Sequence, residues 1–354
     1  MRPVPLVSVS MITYNHESLI EEAINSVLMQ ETNFPFELVI SNDNSPDITD
    51  EIIKKILREH PKSESIRYFF HEKNMGMMAN SMDNLRRCTG EYIAFCEGDD
   101  AWTDPSKLQI QIDEMKNHPL CDISFHPSYV FSGFQKTNSI YALEAFKTKI
   151  FSPSEIIIGG GEFCPTASLL MKRSVMNKLP PFINEAPVGD YFLQIAGSLR
   201  GGALYLNRIM SLYRINTDFS WNSGLNVLKK KAAFFEQYSK SLRMLNQNMG
   251  RAYEKEIHYE IKKHYKNLSF IYLRQKKMSE YKKLYENTIK DIYGKSGLKL
   301  LYYIGLFTES AAIADFFDRI LFIHPNAFKR GWKKIIKTIY LKKNHLLPPQ
   351  IVSK

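Results

Sequence analysis

The sequence predicts an α/β fold for roughly its first two-thirds, followed by an α-helical C-terminal region. Three observations predict it. Strand and helix signals alternate through the first 120 residues, polar turn-rich loops close each strand, and from about residue 224 the pattern changes to long helices. Leu6–Ile12 is short, apolar and β-branched, the signature of a strand. Ser18–Met29 carries Leu19, Ile20, Ala23, Ile24, Val27 and Leu28 at helical spacing. Phe36–Ser41 is a second strand, and Ile48–His60 follows as a helix after a turn-rich stretch. Ile66–Phe70 is a third strand. Met77–Arg87 is a helix stopped at Thr89-Gly90. Tyr92–Cys96 is a fourth strand, and Thr103-Asp104-Pro105 caps a helix that runs to about Asn117. Such alternation requires right-handed crossovers and gives a mostly parallel sheet with helices on its faces. Ligands then bind beyond the carboxyl ends of the strands.

Residues 121–225 are mixed. Ile123–Phe131 and Thr166–Met171 read as strands, and Val188–Leu199 as a helix. Leu204–Leu206 and Met210–Arg214 read as a closing pair of strands. Gly159-Gly160-Gly161 is a loop and Pro180-Pro181 a break. Helical patterns then occupy about 225–248, 251–275, 278–293, 298–307, 309–322 and 326–343. Two domains are expected, 1–223 and 224–354, the second a basic helical element suited to a membrane surface or an acceptor.

The 354 residues are enough to bury a full core, and 44% apolar with 24% charged residues excludes wholesale disorder. The net charge of +10 is unevenly spread. Residues 1–225 hold 20 basic and 27 acidic residues, whereas residues 226–354 hold 27 and 10. Such asymmetry points the rear toward a polyanion or an anionic membrane. The cysteines Cys88, Cys96, Cys121 and Cys164 form no CxxC pair, so buried thiols in a reducing compartment are expected. No secretory leader pattern opens the sequence and no stretch of about 18 apolar residues occurs. A cytoplasmic protein, peripheral on the inner face of the cell membrane, is the resulting expectation.

The loops after the four strands hold Thr13-Tyr14-Asn15-His16, Asn42-Asp43-Asn44-Ser45, Glu72-Lys73-Asn74-Met75-Gly76 and Glu97-Gly98-Asp99-Asp100. Topology gathers all four on one edge of the sheet. An aromatic ring with a carboxylate suits a nucleobase, since the ring stacks and the acid accepts an N–H. Adjacent carboxylates at the end of a buried strand are costly unless a cation neutralises them. Mg²⁺ or Mn²⁺ takes carboxylate and phosphate oxygens together. Singly, each piece has a plainer reading: a turn, a packing residue, a helix cap, a surface charge. Together, at successive strand ends, they read as a site for a metal and a nucleotide diphosphate.

The segments VSVSMITYNHESLIEEAINSVLMQ, ELVISNDNSPDIT and NMGMMANSMDNLRRCTGEYIAFCEGDDAW, in this order, resemble the family-2 inverting glycosyltransferases over about residues 4–216. The resemblance implies the GT-A fold, a Rossmann-like, mostly parallel central sheet with flanking helices. It implies that Tyr14 stacks on the base with Thr13, Asn15 and Glu17 nearby, and that Asp43 accepts the base N–H. Lys73 would help hold the base or diphosphate. Asp99 would face the ribose and ligate the metal with Asp100. Glu97 stands where aspartate is commoner, as a contact behind the metal ligands. Ala186–Leu193 resembles the helix start that carries the family's catalytic carboxylate, making Asp190 the general base, with Glu185 and Asp218 as rivals. Its plainer reading is an ordinary helix cap. Pro165–Ser168 would line the acceptor side. Leu212-Tyr213-Arg214-Ile215-Asn216 resembles a segment whose arginine, here Arg214, meets the diphosphate; its usual histidine is Asn216. His16, His71 and His126 read as structural or surface residues.

The resemblance implies a metal-dependent inverting transfer with Mn²⁺ or Mg²⁺, from a nucleotide-sugar donor, UDP-sugar favoured. The acceptor would be a hydroxyl of a glycan or lipid-linked oligosaccharide in surface polysaccharide biosynthesis. A sugar-nucleotidyltransferase would open on a Gly-rich phosphate loop, which strand one lacks. A nucleic-acid-binding protein would use the basic rear, but the front is acidic and no reader motif occurs, so no nucleic-acid partner is expected. Residues 326–345 hold seven Lys and Arg and no acid, with Phe328, Trp332, Ile335, Ile336, Ile339 and Tyr340 at helical spacing. That is a basic amphipathic helix suited to an anionic membrane surface; a packed helix with a solvated basic face is the competing reading.

Overall fold

Alternation along the first strand decides how the sheet is covered. The computed structural model describes residues 3–215, 228–275 and 277–284. The chain divides into two compact units, Met1–Ser241 and Leu242–Lys354. In β1 (Val7–Thr13), Val7, Val9 and Met11 join one apolar core with Ile20, Ala23, Ile24 and Val27 of α1 (Ile20–Leu28). Leu38 and Ile40 of β2 (Phe36–Asn42), Ile53 and Ile56 of α2 (Thr49–Glu59), and Leu108, Ile112 and Met115 of α4 (Lys107–Asn117) complete it. The intervening residues are serines. Ser10 Oγ donates to Asn84 Oδ1 at 2.6 Å, and the Asn84 amide donates to the Met11 and Val39 carbonyls and to Ser41 Oγ. Asn84 lies on α3 (Met77–Arg87), so this helix is fastened to the sheet through buried polar contacts.

The large sheet has eight strands in the order β3-β2-β1-β4-β10-β6-β11-β9. β3 is Ile66–Phe70 and β4 Tyr92–Phe95, and the run β3-β2-β1-β4 is parallel throughout. β10 (Leu170–Lys172) runs antiparallel between β4 and β6 (Ile123–Phe125). β11 (Ala203–Tyr205) pairs parallel with β6 and antiparallel with β9 (Lys149–Phe151). A four-stranded sheet has the order β5-β12-β7-β8, built from β5 (Ala101–Trp102), β7 (Ser128–Ser132), β8 (Gln135–Tyr141) and β12 (Ser211–Ile215).

The expected alternation thus holds through residue 117, while the middle segment departs from expectation. Ile123–Phe131 is two strands in two sheets, broken at His126-Pro127, because proline cannot donate to a ladder. Thr166–Met171 is a 3₁₀ turn, Thr166–Ser168, leading into β10. Leu204–Leu206 and Met210–Arg214 do not pair with each other; β11 stays in the large sheet and β12 joins the small one. Two helices follow in this segment, α5 (Pro153–Gly159), opened by a Ser152/Glu155 capping box, and α6 (Asp190–Ser198).

In the first unit, Tyr238 of α7 (Leu228–Asn248) stacks on Tyr191 of α6 with ring centroids 5.7 Å apart. In the second unit, α8 (Glu254–Arg274) buries Ile257, Ile261, Tyr265, Leu268 and Tyr272, the periodicity of one helix face. α9 (Met278–Leu284) adds Tyr281. The expected boundary at 223/224 and the segment 326–345 lie outside the described residues, as do Asn216 and Asp218. Among the described residues no helix is long and apolar enough to cross a membrane. All four cysteines are buried and unpaired.

Candidate active site

Three consecutive amides fasten the loop after β1 to the loop after β2. Asn15 N donates to Ser45 Oγ, His16 N to Thr49 Oγ1 and Glu17 N to Asp47 Oδ2, at 2.9–3.0 Å. Glu17 Oε2 accepts from Ile48 N in return. Asn15 and Asn44 both have φ of 59°, a left-handed conformation that asparagine tolerates. This double turn presents Tyr14, 41% exposed, beside Thr13. Gly98 brings the loop after β4 against the same corner. A Cβ there would lie 2.7 Å from both Thr13 Oγ1 and His16 Nδ1.

Asp43 sits at the end of β2 and is almost wholly buried. Its carboxylate accepts from Met75 N at 2.7 Å and from Gly76 N at 2.9 Å, and Asn74 Nδ2 donates to its carbonyl. Gly76 needs its φ of 85° to make that turn. Asp43 therefore holds the Asn-x-Gly segment onto the sheet edge, leaving its remaining lone pairs for a further N–H. Lys73 stands exposed on the same loop.

The acidic loop after β4 is pinned from β12. Arg214 N donates to Asp100 Oδ1 at 3.1 Å, and Arg214 Nη1 donates to the Asp99 carbonyl at 2.7 Å. Arg214 Nη2 pairs with Glu22 of α1. The Arg214 side chain is 1% exposed, and its Nε has no hydrogen-bond partner among the described residues. The structure thus places Arg214 behind the acidic loop, engaged with protein groups.

Asp190 opens α6. Its Oδ1 accepts from Tyr191 N at 2.8 Å and its Oδ2 from Thr166 Oγ1 at 3.3 Å. Burial pushes its carboxyl above the usual aspartate range, against those two hydrogen bonds. Burial also pushes Glu97 up, and the charges of Asp99, Asp100 and Asp190 add to it. Asp100 rises through burial and the charge of Asp99, opposed by Arg214. Tyr213 is pushed up by burial and by Asp100, Glu97, Asp99 and Asp190 together. Glu97 and Tyr213 therefore each stand within charge range of Asp99, Asp100 and Asp190. Tyr14, Asp43 and Lys73 stand on neighbouring loops of the same edge.

Crowded, desolvated carboxylates fit a hard divalent cation, because a metal relieves the like-charge cost and prefers oxygen donors. Among the described residues no three carboxylate, imidazole or thiol groups are arranged to enclose an ion. A Mg²⁺-like ion held by one or two carboxylates, with phosphate and water completing its shell, is compatible with that donor set.

Sequence reasoning did not single out Gly98, Glu22 or Tyr213. The short Glu-Gly-Asp-Asp spacing is a signal for Gly98, since only a residue without a Cβ lets two loops touch. Glu22 carries no local signal, because its partner is 192 residues away.

Residues 8–179 match the model of glycosyl transferase family 2. An uncharacterized protein of Mycobacterium bovis is 31% identical over 63% of this chain and 62% of its own length. The chain thus spans less than two-thirds of that relative. A putative teichuronic acid biosynthesis glycosyltransferase of Bacillus subtilis is 35% identical over 34% of this chain and 46% of its own. Among solved structures, S. aureus TarS 1–349 in complex with UDP-GlcNAc superposes with a TM-score of 0.56 at 17% identity, covering 73% of this chain and 72% of that one. That likeness bears out the GT-A fold.

Proposed function

We infer that the chain, whose residues 8–179 match the model of glycosyl transferase family 2, moves a sugar from a nucleotide-sugar to an acceptor hydroxyl with inversion. One observation carries the reading: the partly buried carboxylate Asp190, at a helix start, lies within charge range of Glu97 in the acidic loop at the β4 strand end. A general base must stand beside the diphosphate site, and this arrangement supports Asp190 in that role. Asp190 takes the proton of the acceptor hydroxyl. The hydroxyl oxygen bonds to the anomeric carbon, and the bond from that carbon to the diphosphate oxygen breaks, its electron pair leaving with the diphosphate. No covalent enzyme intermediate forms.

Tyr14 stacks on the base, flanked by Thr13, Asn15 and Glu17, and Asp43 accepts a base N–H. Lys73 meets the base or diphosphate. Asp100 and Asp99 would hold Mn²⁺ or Mg²⁺, which supplies Lewis-acid stabilisation of the leaving diphosphate. Arg214 orients the two acids and lends its charge to the same region. A UDP-sugar is favoured as donor by the motif resemblance, with a glycan or lipid-linked acceptor of a surface polysaccharide. The teichuronic acid relative supports that acceptor class. Action on the inner membrane face, in the cytoplasm, would suit it.

A thermal-shift panel of UDP-, GDP-, dTDP- and CMP-sugars, with Mn²⁺ and with EDTA, tests the donor. A shift with one nucleotide class that EDTA removes is expected, and no shift with any of them would reject the reading. Asp190→Asn should lower nucleotide release by about 10²–10⁴-fold while leaving donor binding intact. Near-normal turnover in that variant would remove Asp190 as the base.

A further inference from the structure

The small sheet presents two tyrosines whose position the donor site does not explain. Ser211 pairs with Ser128, and Ser128 with Tyr141. Side chains alternate along a strand, so Ser211 and Tyr213 share a face of β12, and Tyr141 continues that face across β7. The rings of Tyr141 and Tyr213 lie 4.9 Å apart at 38°. Both are only partly buried.

Their neighbours on either side are the reacting groups. The residue after Tyr213 is Arg214, whose N–H holds the Asp100 carboxylate. β12 also packs against the turn Thr166–Ser168, whose Thr166 hydroxyl donates to Asp190. β12 therefore borders both the acidic loop and the helix start of Asp190, and it carries the Tyr213 ring on which Tyr141 packs. The charges agree: Tyr213 feels Asp100, Glu97, Asp99 and Asp190, whereas Tyr141 feels Tyr213, then Glu162 and Asp190.

We propose that the ring of Tyr141, backed by the Tyr213 ring packed against it, forms the floor of an acceptor subsite for a neutral pyranose, which lays its C–H face on Tyr141 and turns a hydroxyl to Asp190. The assignment rests on the transferase reading. Two chemistries meet here. Partly exposed aromatic rings offer apolar contact, and Asp190 keeps lone pairs for a ligand hydroxyl beside its bonds from Tyr191 N and Thr166 Oγ1. A lipid tail would cover the rings but bring no hydroxyl to that carboxylate. A uronic acid would add a like charge.

Saturation-transfer NMR tests this on the full chain with UDP and Mn²⁺ present. The probes are the methyl β-pyranosides of glucose, galactose and N-acetylglucosamine, with methyl β-glucuronide as the charged counterpart. At least one neutral pyranoside should receive saturation at its ring C–H positions, and the glucuronide should not. Tyr141→Ala should lower that transfer by about threefold to tenfold, and Tyr141→Phe should keep it. Tyr141→Leu, which keeps bulk without a ring, should behave as the alanine variant. UDP affinity, read in the same samples, should be the same in all forms. With UDP bound, absence of any pyranoside contact, or contact insensitive to both Tyr141→Ala and Tyr141→Leu, overturns the subsite. So does preference for the glucuronide, or a Tyr141→Ala defect confined to UDP-sugar binding. Failure of UDP and every other nucleotide to bind would instead reject the transferase reading itself.

Discussion

Gly98 shows how a site can depend on an atom that is absent. The residues to which we assign chemistry, Tyr14, Asp43, Asp100 and Asp190, are legible in sequence because they follow strand ends or open a helix. The contact that joins two of their loops is not, because it depends on a distance between residues 82 or more positions apart. Gly98→Ala puts a Cβ 2.7 Å from Thr13 Oγ1 and 2.9 Å from Thr13 Cβ. The second contact is with an atom fixed to the backbone, so a loop must move, at about 1–3 kcal/mol. Nucleotide affinity should fall about tenfold or more in titration calorimetry, with the secondary-structure content unchanged. Lys107 is a second case. The sequence analysis did not single it out, yet it is wholly buried, 4.1 Å from the Trp102 ring and bonded to Gln111 Oε1 at 2.7 Å. Burial depresses it to about 7, with Cys96 opposing. His126, also buried and itself pushed down by burial and by Lys107, is its other titrating neighbour. Between pH 7 and its ordinary value of 10.5, the unfolded chain holds a proton that the folded chain does not. Stability therefore rises with pH across that window. From pH 7 to pH 10, urea melts should show the wild type gaining on the order of 3 kcal/mol over Lys107→Met. Parallel curves would mean that Lys107 stays charged when folded.

At the scale of elements, the parallel half of the sheet is legible because each of its strands is a short apolar run bounded by turn chemistry. The middle is not, because Ile123–Phe131 is one apolar run in sequence and two strands in space, and only Pro127 marks the break. β5 and β9 span two and three residues, too short to carry any periodicity. α3 shows a different limit. Its extent is read correctly, but its buried face carries Asn80 and Asn84 beside Met82 and Leu85, so apolar spacing misjudges which side is inside. Asn84 joins this helix to β1 and β2 through both ends of its amide. Asn84→Ala leaves Ser10, Ser41 and the Val39 carbonyl without that partner in a buried interface. The expected cost is about 2–3 kcal/mol, a fall in melting temperature of roughly 5–10 °C. Asn84→Asp should be at least as costly, because a carboxylate cannot donate to the two carbonyls. A loss below about 0.5 kcal/mol in calorimetry would show that water replaces the amide without penalty.

For the molecule as a whole, the excess of positive charge separates into two parts with different requirements. Residues 1–225 carry seven more acids than bases and hold the carboxylate cluster, where negative potential attracts a cation. Residues 226–354 carry 17 more bases than acids, densest in 326–345, where no acid intervenes. A basic segment interleaved with Phe328, Trp332, Ile335, Ile336 and Ile339 matches an anionic bilayer surface in two ways. Each Lys or Arg near such a surface contributes about 1 kcal/mol, and the aromatic and aliphatic side chains enter the interface. If the segment meets such a surface, its seven basic residues would hold it at low salt but not at high salt, because the electrostatic part is screened within about 8 Å at physiological ionic strength. The full chain should float with vesicles containing phosphatidylglycerol and stay behind with pure phosphatidylcholine. Raising salt to about 0.5 M should release most of it. Joint replacement of Lys333, Lys334 and Lys337 by Glu should abolish flotation and leave the nucleotide-induced thermal shift where it was, since none of the three belongs to the donor site. Flotation that survives both the salt and the three substitutions would be carried by apolar contact elsewhere. Absence of flotation at low salt would mean that the basic face is simply solvated, and that the acceptor reaches Asp190 without the bilayer's help.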